Sequence, residues 1–221
     1  MKLELDDAHD QRVLNALRTG DSQRAALLMV NTYGKGVVKL CAAVARTPEE
    51  AEELTYSSFA RAFSAFGDFR ASGSPAAWML EIARTRCREL LAELAEAEPV
   101  PRAPVFGYID GDVPPGKLAD WLSEQSPLGR AALGLYVHGG ASVEEIAADA
   151  GSDVETCSNW MMALLSDAAS LVRGEATPAG TPPRGSNPTA IYPKVIAALT
   201  ALDVPLSESL RRRLDVLVAA L

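Results

Sequence analysis

The chain has 221 residues, 48% of them apolar and 23% charged, a balance that builds globular cores and excludes wholesale disorder. Net charge is −8; residues 1–98 carry 12 basic against 15 acidic side chains, and residues 117–173 carry 3 against 8. No segment has the basic footprint of a protein held to nucleic acid by neutralising phosphates.

Ala and Leu dominate and aromatics make up only 6%, which favours helices. In chain order, Val13, Leu14 and Leu17 form a short apolar stripe that ends at Gly20. Asp21 can cap a second helix bearing Ala25, Leu28, Met29, Val37, Val38, Leu40 and Cys41, with an interruption expected near Gly34. Thr47-Pro48-Glu49-Glu50 combines an N-cap, a first-turn proline and a Glu three residues on, which is a capping box. Ala51, Leu54, Ser58, Phe59, Ala62, Phe63 and Phe66 follow at helical spacing. A fourth helix starts at Ser74-Pro75 and runs through Trp78, Ile82, Leu90, Leu91 and Leu94.

Prolines then interrupt the pattern over 99–116 and again over 174–188, where missing N–H donors end helices and mark linkers. Between them, short helices are expected around Leu118–Leu122 and Leu128–Val137. A second capping box, Ser142 with Glu145, opens a helix that Gly151 closes, and a longer helix spans Val154–Val172. Helix, glycine turn, helix is the helix-turn-helix pattern. The tail, 189–221, offers two amphipathic segments, Ile191–Leu202 and Leu206–Leu221. The expected fold is all-α: a helical domain over 1–98, a Pro-rich linker over 99–116, a helix-turn-helix domain over 117–173, a second linker over 174–188 and a C-terminal helical extension over 189–221.

Several functional classes find no support. Only His9 and His138 offer imidazole bases, and His138 precedes Gly139-Gly140 in what reads as a polar turn. No G-x-G-x-x-G, Walker-type loop, H-E-x-x-H or nucleophile elbow is present, so no enzyme and no cofactor are expected. Glu52-Glu53 and Glu144-Glu145 are adjacent in sequence and so diverge on a helix, which makes neither a metal pair. Cys41, Cys87 and Cys157 form no C-x-x-C pair; Cys87 and Cys157 fall within apolar helical stripes, as core thiols do. Uncharged apolar stretches fall short of the roughly 20 residues of a membrane span. Residues Met1–Asp7 lack an apolar signal core, so a cytoplasmic location without a membrane span is expected.

Three segments resemble, in order, the motifs of bacterial RNA polymerase sigma factors of the extracytoplasmic-function group. Ala51-Glu52-Glu53-Leu54 with Phe59-Ala60-Arg61-Ala62-Phe63 is similar to that family's A-E-D-L-x-Q-E-x-F-x-R. Trp78-Met79-Leu80-Glu81-Ile82-Ala83-Arg84 is similar to W-L-x-x-I-A-R-N, with Thr85 in place of the Asn, and Val143–Ala147 followed by Gly151 to E-E-I-A-x-x-x-G. The resemblance covers about residues 10–173. It implies two helical domains, called regions 2 and 4, on a flexible tether, with core RNA polymerase and an anti-sigma factor as partners.

The matching positions are mostly fold-building; those that would touch partners depart from the family. Where the family's third helix carries the Gln-Glu pair of its polymerase-gripping surface, this chain has Tyr56 and Ser57, with Arg61 nearby. In the helix that faces melted promoter DNA, Arg84, Arg86 and Arg88 remain, but four carboxylates follow within residues 89–98. In the reading helix, Ser158 stands for a Lys, and Trp160, Ala163 and Leu165 for three Arg; residues 151–172 contain no Lys or Arg. Duplex binding draws much of its free energy from counterion release, which a cation-free helix cannot supply. Asn159 could still pair with adenine, though base contacts do not by themselves seat a helix in a groove.

The expected function is therefore a sigma-like regulator of transcription initiation that acts through protein contacts, with DNA binding weak or absent in isolation. Its contact residues would be Tyr56, Ser57 and Arg61, plus an apolar face of Trp160, Met161, Leu164 and Leu165 that serves a partner or packs under the tail. The alternative is a divergent orthodox sigma factor that contacts DNA through Arg84, Arg86, Arg88, Ser158 and Asn159. Arg211-Arg212-Arg213 reads as a solvated basic face.

Overall fold

The computed structural model describes residues 7–69, 73–102, 114–171, 187–202 and 204–221. Every regular element among them is helical, as expected. The chain forms two compact units, one of Met1–Cys87 with Val204–Leu221 and one of Arg88–Asp203. This division differs from the expected one at both ends: the first unit regains the last helix, and the second starts inside the fourth helix.

In the first unit, α1 (Asp7–Arg18), α2 (Ser22–Val44) and α3 (Pro48–Ser64) pack together, and α4 (Pro75–Ala97) contributes residues up to Cys87. Gly20, at φ 75°, ends α1 in a Schellman turn: its N–H donates to Leu17 C=O at 3.1 Å and that of Asp21 to Ala16 C=O at 2.9 Å. Asp21 then caps α2 through Arg24 N–H. No break occurs at Gly34; α2 runs through it, and Gly34 is buried in the α2 face. Thr47 caps α3 as the capping box predicts, but the Glu50 carboxylate takes the Arg46 N–H, at 2.6 Å, one residue earlier than the motif's usual partner.

The core of this unit is formed by Val13, Met29, Leu40, Cys41, Phe59, Ala62, Met79 and Ala83, all of them 0% exposed. Among the described residues, α2 alone passes for a membrane span by length and composition, with a mean hydropathy of 1.2; half of that window is buried inside the protein, as in a core helix. One polar network is buried as well. Asp10 on α1 accepts hydrogen bonds from the Tyr33 hydroxyl of α2 and from Ser74 Oγ ahead of α4, so all three groups are satisfied.

The second unit contains Arg88–Ala97 of α4, α5 (Pro115–Glu124), α6 (Pro127–Gly134), a π-helical turn (Leu135–Gly139), α7 (Val143–Asp149), α8 (Val154–Ala169), α9 (Pro188–Ile191) and α10 (Pro193–Ala201). The capping box at α7 is complete: Ser142 Oγ accepts from Glu145 N–H, and the Glu145 carboxylate accepts from Ser142 N–H at 2.8 Å. Gly151, at φ 60°, closes α7 in a second Schellman turn, with Ser152 N–H donating to Ala147 C=O at 2.9 Å, and Asp153 caps α8. The helix-turn-helix expected from the sequence is thus built by its own capping residues. His138, expected in a polar turn, lies instead in the π-helical turn and is 5% exposed.

The two halves of the tail part company. In the second unit α10 packs on α5, α8 and the π turn, burying Tyr192, Val195 and Leu199. In the first unit α11 (Glu208–Ala219) packs on α2 and α3 through Leu210, Leu214 and Val218, at i, i+4 and i+8.

Candidate partner-binding surfaces

The α3 surface singled out in the sequence does not stand open. Ser207, the N-cap of α11, and Ser209 both donate hydroxyl hydrogen bonds to Glu52; the Ser209 bonds are 2.8 and 2.9 Å long. Arg213 donates to Glu53 at 2.7 Å and lays its guanidinium 4.3 Å from the centre of the Tyr56 ring, a cation–π contact. Arg211 reaches Asn31 of α2 at 3.5 Å. Glu52 is held below its ordinary carboxylate range by the Ser207 and Ser209 hydroxyls, with a smaller contribution from Arg213. Glu53 in turn pushes the Arg213 guanidinium up. The arginines expected to form a solvated face therefore include one clamped between an acid and a ring.

Ser57 is half-buried and turns its hydroxyl back to Leu54 C=O, whereas Arg61 is exposed in the last turn of α3. Beyond α3, Phe63, Phe66, Trp78 and Phe69 stack in sequence across the turn into α4, with centroid separations of 5.3, 6.3 and 4.9 Å. Arg70, which with Arg61 would serve DNA or polymerase in an orthodox sigma factor, lies outside the described residues.

The three arginines of α4 differ in their commitments. Arg84 pairs with Glu81 at 3.1 Å, one turn back on the same helix. Arg86 is half-buried beside Cys87, whose thiol is pushed up by its hydrogen bond to Cys41 and by burial. In the second unit Arg88 forms a fork with Asp149 at the end of α7, with Nε at 2.6 Å and Nη2 at 2.9 Å, and has Glu145 at 3.7 Å. A guanidinium held in this bidentate way is not available to a phosphate without losing that pair.

At the start of α8, Ser158 and Asn159 line a pocket of about 550 Å³ together with Glu144, Glu155, Tyr136 and Asn187. Glu144 is held below the usual carboxylate range by its own backbone N–H and the Ser142 hydroxyl, and Asp153 by the backbone and hydroxyl of Thr156. Both stay ionised at neutral pH, so the mouth of this helix is negative.

The face of Trp160, Met161, Leu164 and Leu165 is not an open one. Trp160 is 5% exposed, Met161 and Leu165 are 0% exposed, and Leu164 is half-buried. Both α9 and α10 pack on α8, and Trp121 of α5 donates its indole N–H to Asp167 at 2.7 Å. Of the two uses expected for this face, serving a partner or packing under the tail, the described residues show the second: an apolar stripe needs cover, and α9 and α10 supply it. Cys157 lies in the same core, its thiol pushed up to about 11 by burial and by the nearby Asp153 and Glu144 charges. Among the described residues no group of three or more His, Cys, Asp or Glu side chains converges as metal ligands.

The sequence reading missed Asp149, Glu53 and Arg213 as partners of the residues it singled out. Each contact joins segments far apart in the chain, and the only sequence hint was the opposite sign of their charges.

Residues 29–95, just under a third of the chain, match the family model of Sigma-70 region 2. That stretch runs from within α2 to near the end of α4 and contains Tyr56, Ser57, Arg61 and the arginines of α4. The match supports a sigma-factor-like role in transcription initiation. No curated protein matches the chain.

Proposed function

We propose that this chain is a sigma-factor-like regulator of transcription initiation, related to the extracytoplasmic-function group, that works chiefly through protein contacts. Its partners are core RNA polymerase or an anti-sigma factor, and its own hold on DNA is weak. The Sigma-70 region 2 match over residues 29–95 supports that reading at the level of a sigma-like role. The observation that carries the finer reading is the start of α8, where Ser158 and Asn159 share a pocket with Glu144 and Glu155, and Asp153 stands ionised at the cap.

Each phosphate neutralised contributes about −0.9 to the slope of log K against log salt, and six to ten such contacts are usual for duplex binders. The second unit offers few: Arg88 is engaged by Asp149, and no Lys or Arg occurs in 151–172. Carboxylates at the reading helix add repulsion. Tyr56 and Arg61, by contrast, lie on the α3 segment that the resemblance assigns to polymerase.

The test is salt-dependent binding of the full chain to duplex DNA between 50 and 200 mM salt, paired with co-purification with core RNA polymerase. The expected slope is shallower than about −2, and replacing Glu144 and Glu155 by Lys should steepen it by about 2. Binding to core polymerase should persist in that variant. A slope steeper than about −5 with sequence-specific retention would overturn the protein-contact reading and favour an orthodox promoter-reading sigma factor.

A further inference from the structure

The cavity of about 550 Å³ in the second unit is walled by the π turn and by the starts of α7, α8 and α9. Its volume falls within the roughly 300–1,000 Å³ of sites that take small organic molecules. Glu144 and Glu155 bring two carboxylates to it, and among the described residues no Lys or Arg lines it. Val154 brings an apolar side chain that is left 45% exposed, a surface that gains by being covered. Ser158 and Asn159 are half-buried on the same wall, and neither side chain has a hydrogen-bond partner among the described residues. The wall opposite in sequence is tied down. The Tyr136 hydroxyl donates to Asn187 Oδ1 at 2.8 Å and accepts the Thr189 N–H at 3.1 Å, which fastens the start of α9 to the π turn. Little ordering is then left for a ligand to impose.

We propose that this cavity binds a small organic cation, an ammonium group carried on an apolar or aromatic body. The ammonium pairs with Glu144 and Glu155 and donates to the side-chain oxygens of Ser158 and Asn159. The body covers Val154 and lies against the Tyr136 ring, where a cation is also attracted to the aromatic face. Phosphates and carboxylates are refused, because two like charges with no basic residue beside them repel an anion. A metal ion suits the wall poorly, since among the described residues no three His, Cys, Asp or Glu side chains converge. The site uses no polymerase contact, so it stands or falls independently of the function proposed above.

The experiment is equilibrium dialysis of the full chain at about 50 mM salt, where surface charges are least screened. The probes are tryptamine, indole-3-propionate and methylammonium. The first two share a ring body and differ in the sign of the end group; the third has the charge without the body. Tryptamine should bind once per chain with a Kd of about 1 mM or tighter, and the other two at least about ten-fold more weakly. Glu144→Gln and Glu155→Gln should each weaken tryptamine by about three-fold, and the double variant by about ten-fold. Glu124→Gln, an exposed acid of α5 away from the cavity wall, should leave it unchanged. Circular dichroism checks that each variant keeps its helices. Failure of tryptamine to bind at about 10 mM overturns the site, and equal uptake of indole-3-propionate overturns its charge selectivity. Undiminished tryptamine binding by the folded double variant overturns the assignment to Glu144 and Glu155.

Discussion

Arg88 and Asp149 face each other through two parallel hydrogen bonds of 2.6 and 2.9 Å, joining the far end of α4 to the last residue of α7. The pair fixes α7 against α4 within the second unit and engages the Arg88 guanidinium on both its Nε and Nη2 sides. Removing the acid should therefore have two readable effects. Asp149→Ala should cost about 1–2 kcal/mol, since the fork is partly exposed, and lower the melting temperature by about 2–6 °C. It should also strengthen non-specific duplex binding slightly, because one carboxylate is lost beside Arg88. Differential scanning calorimetry and a low-salt binding curve check both; an unchanged melting temperature would count against the fork as a structural tie.

Trp160 makes the sharper stability prediction. At 5% exposure in a unit where α9 and α10 cover α8, its truncation leaves a large cavity. Trp160→Ala should destabilise the second unit by about 3–5 kcal/mol, and Trp160→Arg should abolish its cooperative unfolding. Denaturant titration followed by circular dichroism measures this. A Trp160→Arg chain that folds normally would place the side chain in solvent and restore the open apolar face.

Docking of α11 should depend on pH through Glu52. Hydroxyl hydrogen bonds hold that carboxyl below its ordinary 4.5, so its ionised form prefers the docked helix. The stabilisation is fully present above pH 4.5 and drains away as pH falls through the depressed value. Amide exchange across Leu210–Val218, corrected for intrinsic rates, should lose protection as pH falls below 4.5, while α1 and α2 amides keep theirs. Glu52→Gln should flatten the response. Protection that is constant across this window would remove Glu52 as a latch.

What the sequence made legible follows the range of the interaction involved. Thr47, Ser142, Gly20 and Gly151 act within three to five residues of themselves, so their caps and turns could be read directly and stand, with Glu50 closing on Arg46 instead of Thr47 as the one departure. Gly34 is the instructive exception among local signals: its propensity argued for a break, but burial of its flanks on both sides carries α2 through it. Trp160 could be seen to need cover, but not whose cover, because an apolar stripe records that a partner exists without naming it. Arg213 and Arg88 were harder still. Their partners lie 160 and 61 residues away, and no periodicity marks a contact of that length.

The return of α11 to the first unit sets an order of events during synthesis. About 120 residues separate Cys87 from the start of α11, and at about 5–20 residues per second they take roughly 6–24 s to be made. For that interval the helices that will hold α11 have emerged and the helix itself has not. Until then the faces of α2 and α3 that Leu210, Leu214 and Val218 cover in the finished fold lack their cover.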